Sequence, residues 1–454
     1  MSACIAVLDV GKTNVKVIAF DRDFHVVAER SRRNGPLEAT PDTPYLHLDT
    51  GTVWDFLIHS LKEIGAEHRI EAISISAHGA AGALVTPGGE ALAPMDYEFG
   101  GYDVDAHDYA AARAPFAETL SPNVPRGLNL GRQLFYMRRH FPERAAKATA
   151  ILCYAQYWAW RLSGAMASEA TSLGAHTDLW NPNERRLSSM VERQGWTPLF
   201  PPMRKAWERL GPIRPEVAAA TGLDRATPVL CGAHDSNASL VPHLLANADP
   251  FTLVSTGTWV IVMSVGGSAD LDESADMLAN VDVRGEPVPS ARFMGGREFA
   301  VLAGETPAEP AREDIAAIIA AGTFALPSFS DQGGPFSGRE GRIEGPPPST
   351  DRARAALASL YAASMTAYLI GRLGGRGDVL IEGGFARTPA FAGLLAALTG
   401  RRVRVATSTA GAAEGAARLA LWGEAQKLPE LKTEPPWEID GLRDYYQRWL
   451  KRLA

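Results

Sequence analysis

Leu8-Asp9-Val10-Gly11-Lys12-Thr13-Asn14-Val15-Lys16-Val17-Ile18-Ala19-Phe20-Asp21 is the stretch that decides how this chain folds. The apolar run Ile5 to Leu8 reads as a strand, Asp9 to Asn14 as a glycine-containing turn, and Val15 to Phe20 as a second strand, with a third around His25 to Ala28. The turn offers a carboxylate, a glycine that permits close approach, and Lys, Thr and Asn side chains that can donate to phosphate. Gly11-Lys12-Thr13 also matches the end of the P-loop G-x-x-x-x-G-K-[ST], but Ala6 stands where the first glycine belongs. A P-loop needs a helix directly after its Lys-Thr pair, whereas the β-branched VKVIAFD continues as strand. The hairpin is the preferred reading, with a bare tight turn as its alternative.

Outward from the hairpin, Val53, Phe56, Leu57, Leu61 and Ile64 recur at helical spacing, and Glu71 to Ser76 alternates as a strand. Three hairpin strands, a helix and a further strand resemble the ribonuclease H-like half shared by actin-type ATPases and many sugar kinases. The order recurs later: FTLVS, a turn at Thr256-Gly257-Thr258, WVIVMSV, a helix around Ala353 to Leu373 and the strand VLIE. This pattern predicts a structural duplication with its junction near Leu240 to Pro250, giving domains 1–240 and 241–454. Pro- and Gly-rich stretches such as GPFSGREGRIEGPPPST read as loops or lids.

A chain of 454 residues exceeds one ordinary core, and 46% hydrophobic with 21% charged residues is ordinary for a globular protein. The formal charge of −7 is spread along the chain, which speaks against a nucleic-acid groove or a polybasic membrane patch and for a small-molecule partner. Cys4, Cys153 and Cys231 lie in apolar runs without CxxC spacing, so buried free thiols are expected. The start MSACIAVLDVGKTN has no basic run and no stretch approaches the length of a spanning helix, so a cytoplasmic protein is expected.

Two further segments can carry chemistry. In Cys231-Gly232-Ala233-His234-Asp235-Ser236-Asn237 an apolar strand delivers an acid to the start of a helix. Asp235 is a candidate acid-base group, or only an N-cap worth ~1 kcal/mol, and His234 can equally be a core histidine. Gly383-Gly384 after the strand Val379 to Glu382 can let an adenine lie on the backbone. The turn Ser255-Thr256-Gly257-Thr258 occupies in the second half the place of the first hairpin's turn, and two such turns can clamp a polyphosphate.

Taken in order, LDVGKTNVKVIAFD, ISISAHGAAGALV, GAHDSNAS, STGTW and IEGGFARTPAFAGLLAALTGRRV resemble the phosphate, sugar, base, second-phosphate and adenosine segments of the FGGY carbohydrate kinases. STGTW with Trp259, the GKTNVK pattern and the His78-Gly79 step are most similar to the L-fuculokinase and L-rhamnulokinase branch. The resemblance implies an α/β fold of two ribonuclease H-like, actin-like domains with ATP and sugar in an interdomain cleft. It implies Asp235 as general base, Asp9 as the acid that holds Mg²⁺, and Gly11, Lys12, Thr13 and Asn14 as the first phosphate loop. Thr256, Gly257 and Thr258 then form the second phosphate loop, Gly383 and Gly384 the adenosine platform. His78, Gly79, His234, Asp235, Ser236, Asp96 and Arg292 are the sugar-site candidates. Three departures accompany the match: GRQLFYMRRHFP lacks the family's usual lysine, Thr388-Pro389 replaces an asparagine common after the glycines, and His78 stands where fuculokinases and rhamnulokinases often place Trp or Phe. The expected reaction is ATP-dependent phosphorylation of a ketose, L-fuculose-like or L-rhamnulose-like, with Ala77, Ala80 and Ala81 as a wall for the sugar methyl. A pentulose kinase and a non-catalytic actin-like ATP-binding protein are the alternatives, and a homodimer is left open.

Overall fold

Strand Ala3–Val10 is buried almost throughout, as its nearly unbroken apolar sequence requires of a central strand. It pairs antiparallel with Asn14–Phe20, placing Asp9 opposite Lys16, and parallel with Arg69–Ala77, placing Asp9 opposite Ser76. The computed structural model describes residues 2–246, 250–304, 308–330, 333–407 and 411–453. Strand Val26–Arg33 extends the sheet antiparallel to Asn14–Phe20, so the meander read from the sequence is present and no helix follows Lys12-Thr13. On the other side stand Pro228–Leu230 and then Arg209–Pro212. Helix Thr50–Glu67 starts where Asp49 accepts from the Thr52 amide at 2.9 Å, and it buries Val53, Leu57, Leu61 and Ile64.

The chain divides into two compact units. Unit 1 comprises Met1–Ala246, Ala279–Pro287 and Ala410–Leu428; unit 2 comprises Asn247–Leu278, Val288–Thr409 and Pro429–Ala454. The return of two late segments to unit 1 has no signal in the sequence pattern. Helix Gly411–Leu419 explains one of them, because Ala413, Ala416 and Ala417 pack on Ile5, Val7 and Ile18 of the first sheet.

In unit 2, Phe251–Thr256 pairs antiparallel with Val260–Val265 and parallel with Val379–Gly383, and Pro287–Phe293 flanks Val260–Val265. Val403–Ala406 completes the same third-second-first-fourth-fifth strand order as in unit 1. The duplication inferred from the sequence is therefore present in both order and sense of pairing. Helix Asp351–Arg372, capped by Thr350, whose hydroxyl oxygen accepts from the Ala353 amide at 3.2 Å, is buried nearly all round, which suits its alanine-rich sequence.

Two expectations are modified. The helix expected over Ser236 to Leu245 is two short ones, Asp235–Ala238 and Val241–Ala246, because Pro242 has no amide to donate and sits in the first turn of the second. The stretch read as loop around 335–350 holds one short strand, Arg342–Glu344, paired with Phe324–Leu326. The three cysteines are free and buried, as expected. Among the described residues no helix is long and apolar enough to cross a membrane.

Candidate active site

The parallel strands of unit 1 end together. Ala233–His234 lies beside Ser76 and Ala77, and Ala3–Val10 ends beside the same two residues on the other side. Asp9, His78, Gly79, His234 and Asp235 thus gather at the carboxyl edge of one sheet, where open α/β sheets place their ligands.

Asp235 is the first residue of helix Asp235–Ala238, with His234 in the cap position, so it is not the N-cap that the sequence allowed. Its Oδ1 accepts from the Ser236 amide at 2.6 Å and faces His234 Nε2 at 3.2 Å. The side chain keeps 32% of its surface exposed, which leaves the carboxylate open to a ligand. His234 is set by its other nitrogen: the Asn237 amide donates to Nδ1 at 3.1 Å, which places the ring proton on Nε2, toward Asp235. Burial holds the His234 pKa below its ordinary value, against the pull of Asp235, so the ring is neutral at pH 7.

Gly79 has a physical reason here. A Cβ at this position would stand 2.6 Å from His234 Nε2, so only glycine lets that ring sit where it meets Asp235. His78 next to it is buried, donates Nδ1–H to the Gly79 carbonyl at 2.8 Å, and rests on Tyr154 with ring centroids 4.9 Å apart. Its Nε2 is buried and has no partner. Behind it lies a small cavity of about 10 Å³, lined also by Ala77, Ala80 and Ala81. That is the space of one water. The three alanines therefore do not form the wall for a sugar methyl that the sequence suggested.

Asp9 is a carboxylate under pressure. Burial first, and the charge of Asp235 second, raise its pKa from 3.8 to about 6. No cluster of three or more metal-type side chains exists among the described residues. Mg²⁺ does not require one, since it takes one or two carboxylates and fills its shell with water and substrate phosphate, and Asp9 beside Asp235 fits that habit.

The first hairpin turn is tight, with the Gly11 amide donating to the Asn14 carbonyl at 3.0 Å. Asn34 braces it, donating its backbone amide to Thr13 O at 2.8 Å and its side chain to Gly11 O at 3.0 Å. Thr13 and Asn14 are exposed, as a phosphate loop needs. Lys12 is not free: its ammonium is paired with Asp96, stands 3.4 Å from Glu98 and lies 4.5 Å over the Tyr97 ring. Asp96 has no exposed surface and also accepts from the Glu98 amide at 2.8 Å. In this arrangement it anchors Lys12 and does not face a ligand. Tyr102 is likewise core, its hydroxyl donating to Asp96 O at 3.1 Å.

In unit 2 the second turn is closed by the Gly257 amide on the Trp259 carbonyl at 2.8 Å, and Gly257 and Thr258 are exposed. The start of helix Gly295–Ala303 meets this turn, with Gly296 donating to Thr258 O at 3.2 Å. Sequence reading missed this brace of the second turn, for which FMGGREF was the available signal. Thr256 is buried, and its hydroxyl is committed to Glu382 O and to the Phe385 amide. It ties the hairpin to the glycine pair and does not reach outward. Gly383 has φ +83°, and a Cβ there would lie 1.9 Å from Thr256 O. Gly383 and Gly384 present an exposed backbone at the end of their strand. Arg292 belongs to unit 2, bonded to Asp276 at 3.0 and 3.3 Å and lying 5.1 Å over Trp259, whereas the other sugar candidates belong to unit 1.

Sequence reading also missed the support behind Asp235. The buried Glu169 carboxylate accepts from the Thr171 hydroxyl at 2.6 Å, and Thr171 Oγ1 in turn accepts from the His234 amide at 3.0 Å. Gln156 donates to the carbonyls of Cys231 and Gly232 at 3.2 and 3.1 Å, fixing the strand end just before His234.

Known proteins match this arrangement. Residues 127–242 match the N-terminal domain of the FGGY family of carbohydrate kinases, and residues 248–429 match the family's C-terminal domain. The structure is similar to that of a carbohydrate kinase from Novosphingobium aromaticivorans, at 35% identity and a TM-score of 0.92, covering 100% of this chain and 99% of that one. An L-fuculokinase of Escherichia coli (strain K12) is 24% identical over 287 residues, 59% of this chain and 57% of its own length. A probable L-xylulose kinase of Pasteurella multocida (strain Pm70) is 23% identical over 292 residues, 59% of this chain and 57% of its own length. The matched stretch thus spans little more than half of these curated relatives. With both domain profiles matched in order and full-length likeness to a carbohydrate kinase, the chain belongs to the FGGY family of carbohydrate kinases.

Proposed function

We propose that this chain transfers the γ-phosphoryl group of ATP to a primary hydroxyl of a ketose, with Asp235 as general base and units 1 and 2 as the two kinase domains. The observation that carries the reading is Asp235 itself, a part-exposed carboxylate at the sheet's carboxyl edge with one oxygen held and the other open. Bound ATP with Mg²⁺ supplies the transferable group and much of the charge neutralisation. Asp9 holds the metal side of that assembly, directly or through water. The exposed side chains of Thr13, Asn14 and Thr258, on the turns formed by Gly11 to Asn14 and by Gly257-Thr258, would donate to phosphate oxygens, and Gly383-Gly384 would receive the adenosine.

In this reading His234 Nε2–H and the Ser236 amide fix Asp235 Oδ1, so Oδ2 points at the hydroxyl and takes its proton late in transfer. A neutral His234 serves this better than a charged one, because an imidazolium would lower the basicity of the carboxylate. His78 offers its unpaired Nε2 as an acceptor for water or a sugar hydroxyl.

For the substrate, the likeness to L-fuculokinases supports a 6-deoxyketose, and the likeness to a probable L-xylulose kinase supports a pentulose as the second reading. The test is ADP release over a panel containing L-fuculose-, L-rhamnulose- and xylulose-type ketoses, ribulose and glycerol. ATP turnover dependent on a ketose supports the kinase reading. ATP bound without turnover on any polyol contradicts it and favours a non-catalytic ATP-binding protein.

A further inference from the structure

A second cavity in unit 1, of about 350 Å³, is lined by Arg161, Arg214, Glu90, Tyr157 and the Gly88-Gly89 turn. None of these residues belongs to the candidate active site. We propose that it binds a small phosphorylated sugar or polyol, with the phosphate on Arg161 and Arg214 and a hydroxyl on Glu90.

Two guanidinium groups line one pocket, and neither makes a direct ion pair with another residue of its lining. Arg161 donates to the Tyr157 hydroxyl at 2.7 Å and lies 4.3 Å over the Trp54 ring, but it makes no ion pair with a described carboxylate. Arg214 meets only Glu216, at 3.5 Å, a side chain 67% exposed and therefore well screened. Its Nε is buried and has no hydrogen-bond partner among the described residues. Trp160 lies 5.6 Å beneath this guanidinium and holds its plane. Paired, oriented guanidiniums with open donors suit the planar, multi-oxygen face of a phosphate.

Glu90 narrows the class. One of its oxygens accepts from the Tyr157 hydroxyl, and the carboxylate as a whole repels a bare anion. It also accepts sugar hydroxyls well, so a ligand with a phosphate at one end and hydroxyls at the other satisfies every group. The volume agrees, since small-molecule sites run from roughly 300 to 1,000 Å³ and a lone phosphate needs far less. The pocket shares helix Tyr154–Ser163 with Gln156 and Tyr154, which brace Gly232 and His78, so this ligand would sit on the element that supports Asp235.

The test is calorimetric titration of the full chain with D-glucose 6-phosphate and, separately, with inorganic phosphate. Binding of the sugar phosphate should weaken at least about tenfold in Arg161→Gln and in Arg214→Gln. It should persist in Asp235→Asn and in Arg161→Lys, with thermal midpoints confirming that each variant is folded. No binding by the wild type, binding as tight as the wild type's in either Gln variant, or loss in Asp235→Asn would overturn the site. Inorganic phosphate bound as tightly as the sugar phosphate would overturn the ligand class. Because Arg161 and Arg214 lie outside the residues assigned to phosphoryl transfer, failure here leaves the kinase reading untouched, and the reverse also holds.

Discussion

At pH 7 Asp9 is ionised against the resistance of its surroundings, because burial and then Asp235 raise its pKa from 3.8 to about 6. Below pH 3.8 the folded and unfolded chains both hold the proton and nothing is lost. Between 3.8 and about 6 the unfolded chain ionises first, so stability falls as pH rises, by up to about 3 kcal/mol in full. Asp9→Asn should therefore raise the thermal midpoint at pH 7 without metal while abolishing turnover. A lower midpoint would show that Asp9 is structural. His78 and His234 work in the opposite sense: burial depresses both pKa values below 6.5, so stability that is full above pH 6.5 is lost as pH falls toward the folded values. Comparing wild type with His78→Asn/His234→Asn isolates this part, and the stability gap between them should narrow from about pH 7.5 to about 5.5. A gap that ignores pH contradicts the neutral-histidine assignment.

At the scale of elements, both hairpins and both parallel strands were legible, because apolar runs interrupted by polar, glycine-containing turns leave a strong local pattern. The acids at strand ends were legible for the same reason. Tertiary pairing was not. Lys12 and Asp96 are 84 residues apart, and each looks like a free polar group until the fold joins them. Glu169 sits in an ordinary ASEATS stretch, and the outward role expected of Thr256 fails because its hydroxyl is used by the strand beside it. The same geometry makes glycine substitutions informative. Gly79→Ala should push the His234 ring aside and lower kcat about tenfold or more with little change in the KM for ATP, since His234 orients Asp235. Gly383→Ala should instead lower the thermal midpoint, by a stability loss above about 1 kcal/mol, and raise the KM for ATP, because both its φ and its contact with Thr256 O exclude a Cβ. Kinetic and thermal profiles exchanged between these two variants would undo the assignment of sugar and adenosine sides.

For the whole molecule, the duplication of one sheet order gives each unit a glycine-containing hairpin turn, and unit 1 carries Asp235 at the carboxyl edge of its sheet. In the proposed reaction Asp235 is the group that separates phosphoryl transfer to a sugar from nucleotide binding alone. The measurement that bears on it most directly compares wild type with Asp235→Asn, reading ATP binding by calorimetry and ketose-dependent ADP release in parallel. Loss of turnover by at least about 10²-fold with ATP affinity and folding intact is the expected result for removal of a general base. Near-wild-type turnover in a folded Asp235→Asn would contradict it.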